Sequence, residues 1–224
     1  MSIVLSLLAT TLISYWILKR LQRFKQLRFI ATFAFPSSLK QKLAKKRKNL
    51  TEAQIELVMQ GLRDYFYICH RAQGRMVAMP SQVVDDVWHE FILSTRSYQE
   101  FCQKALGRFL HHTPAEAMRS RTQAQEGIKR AWRLACAKAR INPKQPHTLP
   151  LLFALDSQLQ ISNGFRYDLN CQGLARSGYC AADIGCSSGC SGDSGDSSDN
   201  SDSSDSSDGG SDGGCGGGGC GGGD

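Results

Sequence analysis

Hydrophobic residues recur at helical spacing along the middle of the chain, and no stretch alternates as a half-buried strand would. Thr51 followed by Gln54 has the form of a capping box, which predicts a helix starting at residue 52. Prolines and glycines mark the other boundaries, because prolines favour the first turn of a helix and glycines its end. The pattern predicts four helices, over about 52–72, 80–106, 114–140 and 149–159. We therefore expect an all-α fold, a small bundle of three or four helices.

The second predicted helix carries both a core face and a polar pair. Seven of its side chains fall within about 60° of one another when residues are placed at 100° steps. They are Val84, Val87, Trp88, Phe91, Thr95, Tyr98 and Cys102. We expect Trp88 in the core, whereas His89 lies roughly 140° from the centre of this stripe. His89 follows Asp85 by one turn, so the imidazole and the carboxylate can meet on one face.

An uncharged apolar run opens the chain. Residues 2–18 reach the short end of the length that spans a bilayer as a helix. Tyr15 and Trp16 stand near the end of the run, and Lys19 and Arg20 follow it at once. This order is typical of a signal anchor at 1–18 that crosses the cell membrane once and leaves the body of the protein in the cytoplasm. A cleaved signal peptide and a peripheral or buried helix are the alternatives.

A basic juxtamembrane connector follows, over residues 19–50. Residues 1–50 hold eleven Lys and Arg and no Asp or Glu. The late part of the connector concentrates six of these charges, at Lys40, Lys42, Lys45, Lys46, Arg47 and Lys48. Contact with anionic lipid headgroups and a solvated linker helix explain this run equally well, and nucleic acid has less support. The apolar stretch 29–35 is too short to span a bilayer, so we expect it in the membrane interface.

The end of the chain has the composition of a disordered segment. Residues 187–224 are Ser, Gly, Asp, Asn and Cys only, so they offer no apolar surface to offset the entropy of ordering. We therefore place one helical domain at 51–186 and a disordered, glycine-rich, low-complexity tail at 187–224. The tail is acidic and the head is basic, so the net charge of +7 is no evidence for binding to nucleic acid.

The nine cysteines fall into two groups. Three lie within predicted helices, which is typical of small buried hydrophobic residues: Cys69, Cys102 and Cys136. The late group lacks the spacing of common zinc knuckles and includes Cys180, Cys186, Cys190, Cys215 and Cys220. These tail thiols could bind soft metal ions, pair as disulfides if exported, or have no specific role. Stable disulfides are disfavoured if the domain is cytoplasmic.

A longer motif joins the second predicted helix to the loop after it. It runs through Met79-Pro80-Ser81, Asp85, Trp88-His89, Ile92-Leu93, Thr95, Tyr98, Phe101-Cys102, Gly107, Leu110-His111-His112 and Pro114. This combination resembles the glycine-rich domain-containing protein-like family over about 79–114. The segment 149–156 and the Gly/Cys-rich end resemble the small membrane-anchored members of that family. The resemblance implies a type of domain and supplies no biochemical activity.

The histidines of this motif suggest a metal site. Asp85 and His89 could meet His111 or His112, and two imidazoles with a carboxylate suit zinc or ferrous iron. In one alternative, Asp85 only hydrogen-bonds His89 while the paired histidines brace the next helix. In another, the group serves acid–base catalysis. The sequence has no phosphate loop, nucleophile elbow or dinucleotide motif, so we expect no nucleotide.

These patterns favour a single-pass membrane protein whose helical domain is a binding or scaffolding module for a protein partner. The first alternative is a metal-dependent enzyme that uses Asp85, His89 and His111 or His112. The second is metal handling by the Cys-rich tail. An enzyme requires these side chains to converge beside a concave pocket, which a scaffolding module does not.

Overall fold

The computed structural model describes residues 2–112, 121–169, 179–181 and 184. Within these residues the chain is almost entirely helical, so the predicted all-α class is confirmed. The helices are α1 Ser2–Thr32, α2 Ser37–Lys46, α3 Glu52–Arg71, α4 Gln82–Leu93, α5 Thr95–Leu106, α6 Arg121–Ala139 and α7 Leu151–Gln158. Two short strands that no alternating pattern predicted, β1 Tyr167–Asp168 and β2 Tyr179–Cys180, pair in parallel. The tail 187–224 lies outside the described residues.

Several helix boundaries agree with the sequence signals. The capping box before α3 has both of its hydrogen bonds, from Gln54 N to Thr51 Oγ1 at 3.3 Å and from Thr51 N to Gln54 Oε1 at 2.9 Å. α6 ends one residue before Arg140, where the third predicted helix was expected to stop. α7 begins directly after Pro150. The predicted start of the third helix, at 114–120, is not among the described residues.

The prediction of one helix over 80–106 is wrong, because this segment forms α4 and α5. Ser94 separates them with a ψ of 58°, which is not helical. Serine suits such a position because its hydroxyl competes for backbone hydrogen bonds, and here it donates to a carbonyl of the preceding turn. The break shifts the helical phase. Thr95 of the predicted stripe is therefore exposed, whereas Phe101, predicted off the stripe, is 1 % exposed.

α1 is one continuous helix in two different environments. Residues 3–22 are exposed throughout, and the helix Ile3–Thr32 is long and apolar enough to cross a membrane, as a signal sequence also is. Its last turn packs on the domain, where Ile30 is buried. Arg63 of α3 donates from Nη1 to the carbonyl oxygens of Ile30 and Phe33, at 2.9 and 2.8 Å. The predicted boundary at residue 18 therefore falls inside a single helix.

The connector predicted at 19–50 packs as part of the helical domain. The stretch 29–35, expected in the membrane interface, contributes aromatic rings to the core instead, and the rings of Phe33 and Phe101 lie 4.7 Å apart. On α2, Leu39 and Leu43 are almost completely buried. Burial of these side chains stabilises the domain by about 1.5–3 kcal/mol for each fully buried one. The folded part of the chain thus begins before residue 51.

α3 lies at the centre of the core. Its Phe66 ring is 4.6 Å from the ring of Phe101 on α5. Gly61 allows α4 and α7 to approach α3 closely, because a Cβ at this position would lie 2.4 Å from Leu155 Cδ1 and 2.9 Å from Val84 Cγ2. The apolar face of α4 is therefore fixed against α3, which leaves the face with Asp85 turned away from the core.

Buried Asp156 of α7 fixes the start of α4. Its carboxylate accepts hydrogen bonds from the Ser81 hydroxyl at 2.8 Å and from the backbone N–H groups of Gln82 and Val83 at 2.7 and 3.1 Å. A negative charge at this position also interacts favourably with the positive end of the helix dipole. The contact sets the position of the first turn of α4, which contains Asp85.

Candidate metal centre

Three of the four predicted metal ligands meet beside α4. His89 Nδ1 lies 3.4 Å from Asp85 Oδ2, one turn earlier on the same helix. His112 comes from the loop after α5, and its Nε2 lies 3.1 Å from Asp85 Oδ1. The two imidazole rings are 4.2 Å apart between centroids. One potential ligand atom from each residue lies within 4.8 Å of the other two.

His111 lies outside this triad. Its ring packs on Phe109, with 4.8 Å between the ring centroids, and the residue is exposed. The sequence left His111 and His112 as alternatives for the third ligand. The structure brings His112 to Asp85 and His89, and it directs His111 elsewhere.

A series of hydrogen bonds that starts in the core holds His112 in place. Trp88 Nε1 donates to the Tyr98 hydroxyl at 3.2 Å, and this hydroxyl donates to the Leu110 carbonyl oxygen at 2.5 Å. Burial raises the pKa of Tyr98 far above its usual value, so the phenol keeps the proton that it donates. Trp88 is buried as predicted, and its ring lies 4.6 Å from the His112 ring. The core thus holds both the backbone before His112 and one face of its imidazole.

The spacing of the triad is close to that of a metal site. Ligand atoms on a tetrahedral zinc ion lie about 3.4 Å apart. Asp85 Oδ2 lies 3.4 Å from His89 Nδ1, and Asp85 Oδ1 lies 3.1 Å from His112 Nε2. The side chains of Asp85 and His112 are 18 % and 17 % exposed, whereas that of His89 is 46 % exposed and free to adjust. Three protein ligands leave at least one position for water or a substrate. Without a metal, the same contacts make Asp85 a shared partner of two imidazoles.

A cavity of about 200 Å³ opens beside His112. The loop after α3 forms one side of it, and residues 108–112 form the other. Gly74 and Gly107 have φ angles of +91° and +69°, in the region that favours glycine. Gly107 caps the C-terminus of α5, and Gly74 lies in the turn after α3. The wall of the cavity includes Tyr65, Cys69, Arg75, Arg108, His111 and His112.

Sequence reasoning missed Arg75 and Arg108. Each directly follows a glycine with a positive φ, Gly74 or Gly107, and this position was the only signal that the sequence offered. Neither arginine belongs to a periodic pattern. The meeting of their two loops depends on how α3 and α5 pack, which the spacing of residues along the chain does not encode.

The three helix cysteines are buried thiols, as predicted. Burial raises the pKa of Cys69 to about 12 and that of Cys136 to about 11, and it also raises the pKa of Cys102. All three thiols are therefore neutral and poor ligands or nucleophiles. In the late group, Cys180 is disulfide-bonded and buried, so it offers no thiolate. Four predicted tail thiols lie outside the described residues: Cys186, Cys190, Cys215 and Cys220.

Most of the basic residues predicted near lipid form ion pairs within the domain. The pairs are Lys40 with Glu56, Lys42 with Glu90, and both Lys46 and Arg47 with Asp86. Asp86 is nearly buried, and the distances from its carboxylate to Lys46 and Arg47 are 2.8 and 2.6 Å. These pairs join α2 to α3 and α4. Lys45 and Lys48 are exposed, and lipid contact by this group stays a prediction.

The region that contains the site matches a known protein family. A family model described as UCP032817-like matches residues 25–189, which is most of the chain. The chain belongs to the UCP032817-like family. The match includes the whole triad and begins within α1, next to Gln26, whose side chain contacts α3. No significant match to this chain was found among curated proteins or solved structures.

Membership of the UCP032817-like family assigns no activity, substrate or partner, because the family is uncharacterised. The finer resemblance to glycine-rich domain-containing protein-like proteins is not part of this match and stays a prediction. The geometry of the site is therefore the evidence on function that this chain offers.

Proposed function

We propose that this member of the UCP032817-like family is a membrane-anchored metal-binding protein whose Asp85, His89 and His112 hold a zinc or ferrous ion. The observation that carries the proposal is the convergence of these three side chains from two separate segments. His112 reaches the pair on α4 because the Tyr98 hydroxyl holds the backbone just before it. Two imidazoles and one carboxylate are ligands that both metals accept.

The metal content of the full chain tests this proposal. The protein is purified in detergent without a histidine tag, loaded with zinc or, without oxygen, with ferrous iron, and desalted. Elemental mass spectrometry should give about one metal ion per chain, as three ligands in one cluster imply. His89→Ala and His112→Ala should each lose it, and His111→Ala is the matched control that should retain it. Equal metal content in all four proteins, each folded by circular dichroism, contradicts the proposal.

Truncation distinguishes metal binding by the tail thiols from metal binding by the triad. A chain that ends at residue 186 lacks the tail with Cys190, Cys215 and Cys220 but keeps the triad. We expect it to bind as much metal as the full chain. Loss of metal from this truncated chain, with His112→Ala unaffected, would assign metal binding to the tail.

A metal-dependent enzyme is the second candidate function. It is supported by His112, which belongs to the triad and also lines the cavity. A molecule in the cavity would contact His112, one of the three residues that would hold the metal. A metal ion at the triad would supply Lewis-acid chemistry there. The scaffolding role and its protein partner stay predictions, because no contact among the described residues bears on them.

We propose that α1 anchors the protein in the cell membrane with its body in the cytoplasm. Lys19, Arg20 and Arg23 directly after the apolar run support this orientation. The disulfide at Cys180 supports the opposite side, because disulfides persist in oxidising compartments. Fusions of green fluorescent protein and of alkaline phosphatase to the C-terminus distinguish the two. We expect fluorescence without phosphatase activity, and the reverse result would place the body outside the cytoplasm.

A further inference from the structure

The cavity beside His112 has a positively charged wall. Arg75 and Arg108 line it from the two loops that form its sides. None of the described residues in its wall is acidic. Neither arginine has a carboxylate partner within the part of the chain that the structure describes. Two guanidinium groups thus share this cavity without a counter-charge from these residues.

Both guanidinium groups keep most of their donors for a ligand. Arg75 uses Nε in a 3.3 Å hydrogen bond to the Ala72 carbonyl oxygen, which leaves its terminal nitrogens. Arg108 makes no side-chain hydrogen bond to any other described residue. Its Nε lies 4.0 Å from the point where a Cβ on Gly74 would stand. The Arg108 side chain therefore reaches the loop that carries Arg75.

Two further groups of the wall are neutral, so they do not cancel this charge. Burial raises the pKa of Tyr65 well above its usual value and that of Cys69 to about 12. The positive charge of Arg108 opposes the effect of burial on Cys69, though it is the smaller effect. The positive charge of Arg108 therefore acts on groups in the cavity wall. A concave surface with one sign of charge attracts a ligand of the opposite sign.

We propose that this cavity binds a phosphate group through Arg75 and Arg108 and presents it to the metal at Asp85, His89 and His112. Guanidinium groups match phosphate oxygens with paired N–H donors. A volume of about 200 Å³ is smaller than that of most pockets for drug-sized ligands, roughly 300–1,000 Å³. The cavity therefore suits a phosphate headgroup. The presentation to a metal rests on the proposed function, whereas phosphate binding at the two arginines does not require the metal.

The phosphate group could belong to a soluble monoester or to a lipid headgroup. A Cβ on Gly107 would lie 3.3 Å from Gln26 Nε2 of α1. The loop that carries Arg108 therefore lies against α1, a few residues beyond its apolar part. This proximity to α1 makes a lipid with a terminal phosphate one candidate source, and a soluble ester is the other.

Titration calorimetry with inorganic phosphate tests the proposal. The full chain is placed in nanodiscs of zwitterionic lipid and titrated both metal-free and loaded with one equivalent of zinc. Arg75→Gln and Arg108→Gln should each weaken phosphate binding about tenfold or more, since each removes hydrogen bonds from a charged donor. Lys104→Gln is the matched control, because it removes the same charge from an exposed position on α5 that does not line the cavity. It should bind phosphate as the parent does.

Equal phosphate affinity in the parent and in folded Arg75→Gln and Arg108→Gln variants would overturn the proposal. Zinc content, measured on the same samples, tests the metal site separately from the phosphate cavity. If the parent binds phosphate through the arginines but retains no zinc after loading, the cavity is supported and the metal site is overturned. Tighter phosphate binding after zinc loading, absent in His112→Ala, supports the presentation of phosphate to the metal, and equal affinity in both forms overturns it. Nanodiscs with phosphatidic acid then identify the source, since a lipid ligand should weaken the apparent affinity for inorganic phosphate at least tenfold.

Discussion

Tyr98 couples the hydrophobic core to the candidate site at the scale of single residues. Its hydroxyl accepts from Trp88 Nε1 and donates to the Leu110 carbonyl oxygen. Trp88 is buried in the core, whereas Leu110 lies two residues before the proposed metal ligand His112. A change at the phenol therefore acts on stability and on the position of His112 together.

Tyr98→Phe should lower the free energy of unfolding by about 1–3 kcal/mol, because it leaves the buried Trp88 N–H and the Leu110 carbonyl without their partner. Zinc affinity should fall as well, since the loop before His112 loses its anchor. Chemical denaturation and zinc titration of the full chain in detergent measure the two effects. Tyr67→Phe is the control, because Tyr67 is a half-buried tyrosine of α3 that takes no part in these hydrogen bonds. Unchanged zinc affinity in Tyr98→Phe would show that His112 is held without the phenol.

The sequence predicted the parts of the site that follow helical spacing. Asp85, Trp88 and His89 lie on one helix, so a 3.6-residue period places Trp88 in the core and the polar pair on another face. The choice of His112 over His111 depends on how the loop after Gly107 is held by Tyr98, which no local pattern encodes. Residue spacing therefore suggested the metal ligands but did not select between His111 and His112 as the third one.

At the scale of elements, α1 and α3 meet through a histidine that the sequence motif did not include. His70 Nε2 lies 3.0 Å from Gln26 Oε1 of α1, and its Nδ1 is buried without a hydrogen-bond partner among the described residues. Burial, with smaller contributions from Arg71 and Arg23, lowers the pKa of His70 below its usual 6.5. The folded protein therefore favours the neutral imidazole at this contact.

We expect this contact to make stability depend on pH. Because the pKa of His70 is lower in the folded than in the unfolded state, the unfolded state takes up the proton first. The stability is complete above about pH 6.5 and falls as the pH decreases below that value. Melting of the full chain in detergent from pH 7.5 to 5 should show a smaller decrease for His70→Gln than for the parent. His147→Gln, at an exposed histidine, should follow the parent, and identical profiles for all three proteins would contradict the assignment.

The helix boundaries could be predicted where a capping residue marks them. They were harder to predict where tertiary packing determines them. The capping box of α3 and Pro150 before α7 are local signals that the structure retains. The break at Ser94 lies in a segment whose hydrophobic pattern continues across it, so periodicity alone extended the helix. The packing of α2 was missed because its many lysines suggested a solvated connector, whereas three of them pair with Glu56, Glu90 and buried Asp86 of the domain.

At the scale of the whole molecule, the apolar segment that could cross a membrane and the end of α1 that packs on the domain belong to one helix. α1 passes from the exposed apolar part to the buried Ile30 without a break. The family match from residue 25 includes the packed end of this helix and leaves out its exposed apolar part. If α1 spans a bilayer as proposed, its direction there sets the direction in which the domain and its cavity face.

Two truncated chains test whether the end of α1 belongs to the domain. A fragment 22–190 keeps Ile30 and the hydrogen bonds from Arg63, whereas a fragment 37–190 loses them together with the aromatic rings of 29–35. The longer fragment should be soluble and should melt cooperatively without detergent. The shorter one should lose about 3–6 kcal/mol, since it gives up buried Ile30 and the partly buried rings of Phe29, Phe33 and Phe35. That loss is comparable to the whole stability of a small domain, roughly 5–15 kcal/mol. Urea denaturation followed by circular dichroism compares the two, and equal midpoints would show that the domain folds without α1.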